Sequence, residues 1–156
     1  MTKTADAVTH SVLVPLSLED AFELFTARFG DWWPKDSHHI SDPPVAEALL
    51  EPREGGRWYE RAEDGSECDW GYVREFDPPE RILLAWHLTP DWKFDPAPSK
   101  ATEVEVTFTP EDDDHTRVTL EHRGFEIHGE DGAAMRESVS SEGGWPALLE
   151  LYRSAA

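Results

Sequence analysis

The chain has 156 residues, with 33 acidic against 14 basic side chains, a formal net charge of -19 and a single cysteine, Cys68. That charge repels phosphate backbones and anionic head groups, so nucleic acid and membrane surfaces are excluded as partners. One cysteine excludes an internal disulfide, and no apolar run approaches the about 18 residues of a membrane span. A single domain over residues 1–156 is expected, and an N-terminus without an apolar leader places it in the cytoplasm.

Val8-Thr9-His10-Ser11-Val12-Leu13-Val14 is rich in β-branched residues and stops at Pro15, which predicts a first strand. Ser17 then caps a helix in a capping-box-like pairing with Asp20, and Ala21, Phe22, Leu24, Phe25 and Phe29 keep a helical stripe as far as Gly30. Asp31-Trp32-Trp33-Pro34 predicts a second short helical turn, followed by a polar loop over 35–44 that holds Asp36, His38, His39 and Asp42. From there the pattern changes to strands over 45–51, 57–62, 67–76, 80–89, 102–109 and 116–123. Pro52-Arg53-Glu54-Gly55-Gly56, Glu63-Asp64-Gly65-Ser66 and Asp77-Pro78-Pro79 break them, and a proline-rich excursion over 90–100 interrupts. Trp92 and Phe94 on that excursion are expected either at the surface, over a pocket mouth or at a homodimer contact, or as anchors of the loop to its own domain.

No further long helical pattern is expected before the C-terminus. There Trp145, Leu148, Leu149 and Tyr152 recur at i, i+3, i+4 and i+7 behind Gly143-Gly144, one apolar stripe on a helix whose first turn admits Pro146. The chain therefore reads as α+β, with a mostly antiparallel sheet of about seven strands curved around this helix.

Alternation assigns the faces. Val104, Val106 and Phe108 alternate with Glu103, Glu105, Thr107 and Thr109, so one face of the sheet is apolar and the other wet. Val118, Leu120 and His122 fall on the inward set, with Arg117, Thr119 and Glu121 outward. Ile82, Leu84, Trp86 and Leu88, and Trp70 with Tyr72, are expected on the same concave face.

Two groups of residues bear on function. The aromatic set Trp32, Trp33, Trp58, Trp70, Tyr72, Trp86, Phe108, Trp145 and Tyr152, with Leu149 and with His38, His39 and His122, is expected to line a pocket for a flat or amphipathic ligand. Any one of these tryptophans taken alone reads as ordinary core. The polar set is Asp36, His38, His39, Glu60, Asp69, His122, Glu126 and His128. His122 as general base, with Glu126 or Asp69 as the acid, suits enolisation or ring closure in a water-poor pocket. The structural alternative is a buried neutral His122 hydrogen-bonded to backbone or to Trp145.

Neither His38-His39 nor the His122/His128 pair has zinc-ligand spacing, so no metal or cofactor is expected. Cys68, between Glu67 and Asp69, lacks the cationic neighbour of a reactive thiolate, and Glu111-Asp112-Asp113-Asp114 reads as a solvated loop tip. No G-x-S-x-G, Walker A or G-x-G-x-x-G is present, which removes the usual hydrolase and nucleotide readings.

Several motifs taken in order resemble a known family. They are Glu51-Pro52-Arg53-Glu54-Gly55-Gly56-Arg57-Trp58, Gly71-Tyr72-Val73 leading to Pro78-Pro79-Glu80-Arg81-Ile82 and Trp86, Leu120-Glu121-His122-Arg123-Gly124-Phe125, and Gly144-Trp145. Together they are similar to the activator of heat shock protein 90 ATPase homologues, within the START-like (SRPBCC) helix-grip superfamily. The resemblance implies a β-α-α-β-β-β-β-β-β-α order and a cavity between sheet and C-terminal helix. It implies three roles, since this superfold carries lipid carriers, cyclases and aromatases, and co-chaperone domains. The first expectation is a binding protein for a hydrophobic or aromatic small molecule; the second is a cyclase-like enzyme; the third is an interaction module with a chaperone partner, although the additional N-terminal domain of the eukaryotic co-chaperones is not expected here.

Overall fold

The computed structural model describes residues 7–34, 44–89, 93–95, 97, 101–141 and 144–156. His38, His39, Asp36 and Trp92 lie outside these residues. Strand β1 (Val8–Val14) leads into helix α1 (Leu18–Phe25), and a 3-10 turn at Phe29–Asp31 precedes the strands β2 (Val45–Leu50), β3 (Arg57–Ala62), β4 (Glu67–Asp77), β5 (Arg81–Trp86), β6 (Thr102–Asp112) and β7 (His115–Arg123). A second 3-10 turn (Phe125–His128) and helix α2 (Glu130–Ser140) then deliver the chain to α3 (Trp145–Ala155). The seven strands form one antiparallel sheet in the order β1-β7-β6-β5-β4-β3-β2. The α+β architecture and the strand number match the sequence reading.

Ser17 caps α1 as expected, its hydroxyl accepting from the Asp20 amide at 3.2 Å. The helix stops at Phe25, earlier than the stripe suggested. Phe29 nevertheless stays buried, because the 3-10 turn carries it inward. The second helical turn expected at Asp31-Trp32-Trp33-Pro34 thus sits two residues earlier. Trp32 is fixed by its own indole, which donates to the Leu24 carbonyl at 3.0 Å.

Helix α2 was not expected. Only Met135 and Val139, four residues apart, are buried apolar side chains on it, too narrow a stripe to announce a helix. What holds the segment is its packing between the turn at Phe125–His128 and α3. Gly144 marks the join: a Cβ there would lie 2.2 Å from the Val139 carbonyl oxygen, so only glycine lets the end of α2 and the start of α3 approach this closely.

Trp145, Leu148, Leu149 and Tyr152 form the buried side of α3. Facing them on the sheet are Val104, Val106 and Phe108 of β6, Val118, Leu120 and His122 of β7, and Ile82, Leu84 and Trp86 of β5, all buried. At about 25 cal/mol per Å² and roughly 150–250 Å² per aromatic side chain, each wholly buried tryptophan contributes about 4–6 kcal/mol before entropic costs. A hydrogen bond it makes adds only about 1 kcal/mol. Burial therefore supplies the stability, and the polar contacts choose the orientations.

A β-bulge in β4 changes which residues face inward. The β3–β4 register passes from Trp58↔Gly71 to Tyr59↔Asp69, which leaves Trp70 as the extra residue. Trp70 points into the core, and Tyr72, opposite Ala85, emerges on the convex face against His87 and Phe94 at ring-centroid distances of 5.3 and 6.3 Å. Tyr72 is thus separated from Trp70, contrary to simple alternation. The bulge needs Gly71, where a Cβ would stand 1.8 Å from the Ala85 carbonyl oxygen. Phe94 is bridged to Leu88 and half-buried, so of the excursion's two aromatics this one anchors the chain to its own domain.

The convex face is a lattice of ion pairs. Arg57 holds Asp69 and Glu67, Arg61 holds Glu47 and Glu67, Arg81 holds Glu75, Asp77 and Glu105, and Arg123 holds Glu103, Glu105 and Glu121. The arginines thereby spread part of the acidic excess over one wet surface.

Tyr152 ties the last helix to the first: its hydroxyl donates to the Ala21 carbonyl at 2.7 Å across 131 residues of sequence. Replacing Tyr152 by Phe is expected to lower unfolding free energy by about 1 kcal/mol with an unchanged denaturant slope. Urea unfolding followed by tryptophan emission checks this; an unchanged midpoint would remove the tie from the account.

Candidate functional site

The concave face of the sheet carries a row of aromatic rings running across four strands. It starts at Glu60 on β3, which is fully buried and accepts a hydrogen bond from Trp70 Nε1 at 2.8 Å. Trp70 lies 5.6 Å from Trp58 between ring centroids, Trp58 lies 5.5 Å from Trp86, and both pairs meet edge to face. Trp86 continues to His122 at 4.9 Å and to Trp145 of α3 at 5.8 Å, and Phe125 closes the row 4.5 Å from His122. Trp33 covers Trp70 at 5.1 Å and reaches Trp145 at 6.4 Å, while Phe29 stacks on Trp33 at 4.9 Å.

These positions follow from the strands. Trp58 and Glu60 are two residues apart on β3 and share its inner face; Trp70 joins them through the bulge; Trp86 and His122 are inward by alternation on β5 and β7. A second aromatic group lies toward the other end of α3, where Phe25 meets Phe108 at 6.0 Å and Tyr152 at 5.4 Å, and Trp32 meets Tyr152 at 5.4 Å. Burial of the Tyr152 phenol raises its pKa above the ordinary tyrosine range.

His122 is the polar centre of the row. Trp145 Nε1 donates to its Nδ1 at 3.1 Å, and its Nε2 lies 2.8 Å from Thr102 Oγ1. An indole N–H can only donate, so Nδ1 is the acceptor and the proton sits on Nε2, directed at the threonine oxygen. Burial pushes the imidazole pKa from 6.5 down to about 3. The side chain is neutral near pH 7 with both nitrogens engaged, and its Nδ1 lone pair is taken up by the Trp145 indole.

The other residues proposed from sequence are distributed unevenly. Trp58, Trp70, Trp86, Trp145, Trp33 and His122 come together in the row, and Trp32, Phe108, Leu149 and Tyr152 are buried in the same core. Asp69 does not join His122: it lies on the convex face, where its Oδ1 receives Arg57 Nη2 at 2.7 Å. Tyr72 shares that face, and Glu126 is exposed on the turn after β7. Phe29, Phe125 and Thr102 were missed. Alternation puts Thr102 inward with Val104, yet nothing in a one-dimensional pattern pairs it with a histidine twenty residues on.

A groove of about 330 Å³ lies elsewhere, at the sheet edge between the first 3-10 turn and β2, lined by Arg28, Asp31, Glu47 and their small and aliphatic neighbours. It has no aromatic lining. Among the described residues no group of three or more His, Cys, Asp or Glu is placed to hold a metal ion, and no described helix is long and apolar enough to cross a membrane.

A curved antiparallel sheet closed around one C-terminal helix, with an aromatic row between them, defines the helix-grip (SRPBCC) class. Residues 15–151 match the family model described as Activator of Hsp90 ATPase homolog 1-like protein, and the chain belongs to that family. Among solved structures it is similar to the anthrahydroquino-γ-pyrone synthase Txn09, at 34% identity over 100% of both chains with a TM-score of 0.68. It is also similar to CalC, a self-sacrificing resistance protein from Micromonospora echinospora, at 30% identity over 95% of this chain and 92% of that one, with a TM-score of 0.68. A protein from Nitrosomonas europaea at 14% identity, covering 99% of this chain and 97% of its own, shares the fold with a TM-score of 0.65. None of the curated proteins matches the chain.

The His122 geometry has a pH consequence. The unfolded imidazole takes a proton as pH falls through 6.5, and the folded one does not until about pH 3. Its contribution to stability is therefore full above 6.5 and lost across that window, at up to about 1.4 kcal/mol per pH unit. His122→Gln is expected to flatten the dependence of unfolding free energy on pH between those values, and NMR is expected to show His122 as the Nε2-H tautomer throughout pH 5–8. An imidazole titrating near pH 6.5 would contradict the assignment.

Proposed function

We propose that this protein binds a flat, fused-ring aromatic small molecule in its interior, against the row formed by Trp58, Trp70, Trp86 and Trp145. The observation that carries the reading is the continuity of this row, 5.5 to 5.8 Å from ring to ring across β4, β3, β5 and α3. Indole faces offer large, rigid contact area with little conformational entropy to lose, which suits planar ligands better than flexible chains. The similarity to Txn09 supports the same reading, because that synthase is named for a fused-ring aromatic product. The chain's charge of -19 favours neutral or cationic ligands over anionic ones.

A second reading, ring-closing catalysis on such a ligand, is favoured by Glu60. A carboxyl group held by Trp70 at the end of the row and fully buried is placed to exchange a proton with a phenol or enol. In this reading Glu60 takes the part that the sequence suggested for His122. Glu60→Gln would retain an acceptor for Trp70 and leave binding intact while removing turnover of a cyclisable polyketone substrate. Turnover at the wild-type rate in a folded Glu60→Gln protein would eliminate this second reading.

Titration with fused three-ring aromatics, single-ring aromatics and fatty acids tests the first. Saturable quenching of tryptophan emission at one ligand per chain is expected for the three-ring compounds, at least about tenfold tighter than for either of the others. Equal affinity across the panel, or fatty acids binding best, would replace the reading with a general apolar carrier.

A further inference from the structure

Three of the tryptophans show where their indole N–H goes: Trp32 to the Leu24 carbonyl at 3.0 Å, Trp70 to Glu60 at 2.8 Å, and Trp145 to His122 at 3.1 Å. Trp58 differs from these three. Its side chain is 1% exposed, its Nε1 is buried, and the N–H meets no acceptor among the described residues. An indole nitrogen is a donor only, and leaving a buried donor unpaired is costly enough that native interiors seldom do so. Trp70 and Trp145 on the same row, and Trp32 in the second aromatic group, have acceptors within the fold, whereas Trp58 Nε1 meets none among the described residues.

The surroundings narrow the acceptor. Phe29, Trp70 and Trp86 pack around the Trp58 ring at 6.0, 5.6 and 5.5 Å, all edge to face, so the environment is apolar and made of rings. Glu60 lies two residues along on the same inner face of β3, and the chain as a whole is strongly acidic. A phenolate or carboxylate would bring an ionic charge into a site of low polarity within a strongly acidic chain, whereas a neutral carbonyl oxygen in the plane of an aromatic ring system brings none. We propose that Trp58 Nε1 is the hydrogen-bond donor to the ligand and that the ligand class is the aromatic ketones and quinones, their ring carbonyl accepting from Trp58. The inference rests on the aromatic-ligand reading above and adds to it a donor and a functional group.

The test compares two neutral probes of nearly the same shape, an aminoanthraquinone and the matching aminoanthracene, on the wild-type protein and on Trp58→Phe, which keeps an aromatic ring and removes the N–H. The ratio of quinone to anthracene affinity is expected to fall about tenfold in the variant, the lost ring area lowering both affinities alike. The same ratio in both proteins overturns the inference and, with saturable binding of both probes, leaves the aromatic-ligand reading standing. Saturable binding of neither probe overturns both.

Should Trp58→Phe not fold, the wild-type protein alone decides. The indole N–H proton resonance of Trp58 is expected to move downfield with the quinone and to show no such shift with the anthracene. An equal response to the two probes overturns the assignment.

Discussion

The contact on which the rest depends is the bond from Trp145 to His122. It joins the first turn of α3 to β7, inside the core, where each partner would otherwise be an expensive polar group. Because the indole can only donate, it dictates the tautomer of the imidazole, and the tautomer in turn directs the remaining N–H to Thr102 on the neighbouring strand. Apolar burial alone would let the helix slide or rotate over a concave sheet at little cost; one directional bond removes that freedom. Its orientation brings Trp145 into the aromatic row, so the same contact that registers the helix also completes the candidate site. The Tyr152 hydroxyl performs the corresponding task at the other end of the helix by fixing it to α1.

Polar and charged groups are sorted by face with few exceptions. The convex side holds interlocked arginines and carboxylates, and the inner side holds rings with buried polar stations, Glu60 at one end of the row and His122 with Thr102 near the other. The stations differ in kind. His122 is a neutral imidazole bonded through both nitrogens, and Glu60 is a buried carboxyl group that accepts from Trp70. A planar molecule against the row would contact rings over most of its area and meet polarity only at defined points along its edge, which is how a largely apolar site acquires selectivity.

Much of this was legible in the sequence. The period-two run Val104, Val106, Phe108 and the helical stripe from Trp145 to Tyr152 gave the two surfaces that pack together, and His122 could be placed inward by counting from Val118. The same counting failed at Tyr72, because a bulge at Trp70 reverses the faces beyond it, and the close backbone approach that requires Gly71 is invisible without the partner strand. Helix α2 escaped because two buried side chains do not make a periodic signal and its stability comes from tertiary contacts. Asp69 stood beside Trp70 in sequence and on the opposite face in space, so adjacency suggested a partnership with His122 that the pleat forbids. The Thr102–His122 pair depends on how two strands are registered, information that no single strand carries.

The central claim is that the aromatic row, and not the outer surface, receives a fused-ring ligand. Intermolecular nuclear Overhauser effects between a bound aminoanthracene and the protein's aromatic protons locate the ligand directly. Cross-peaks to Trp58, Trp86, Trp145 and Phe125 are the predicted result. Cross-peaks confined to Tyr59, Tyr72 and Phe94 would place the ligand on the convex face and contradict the account.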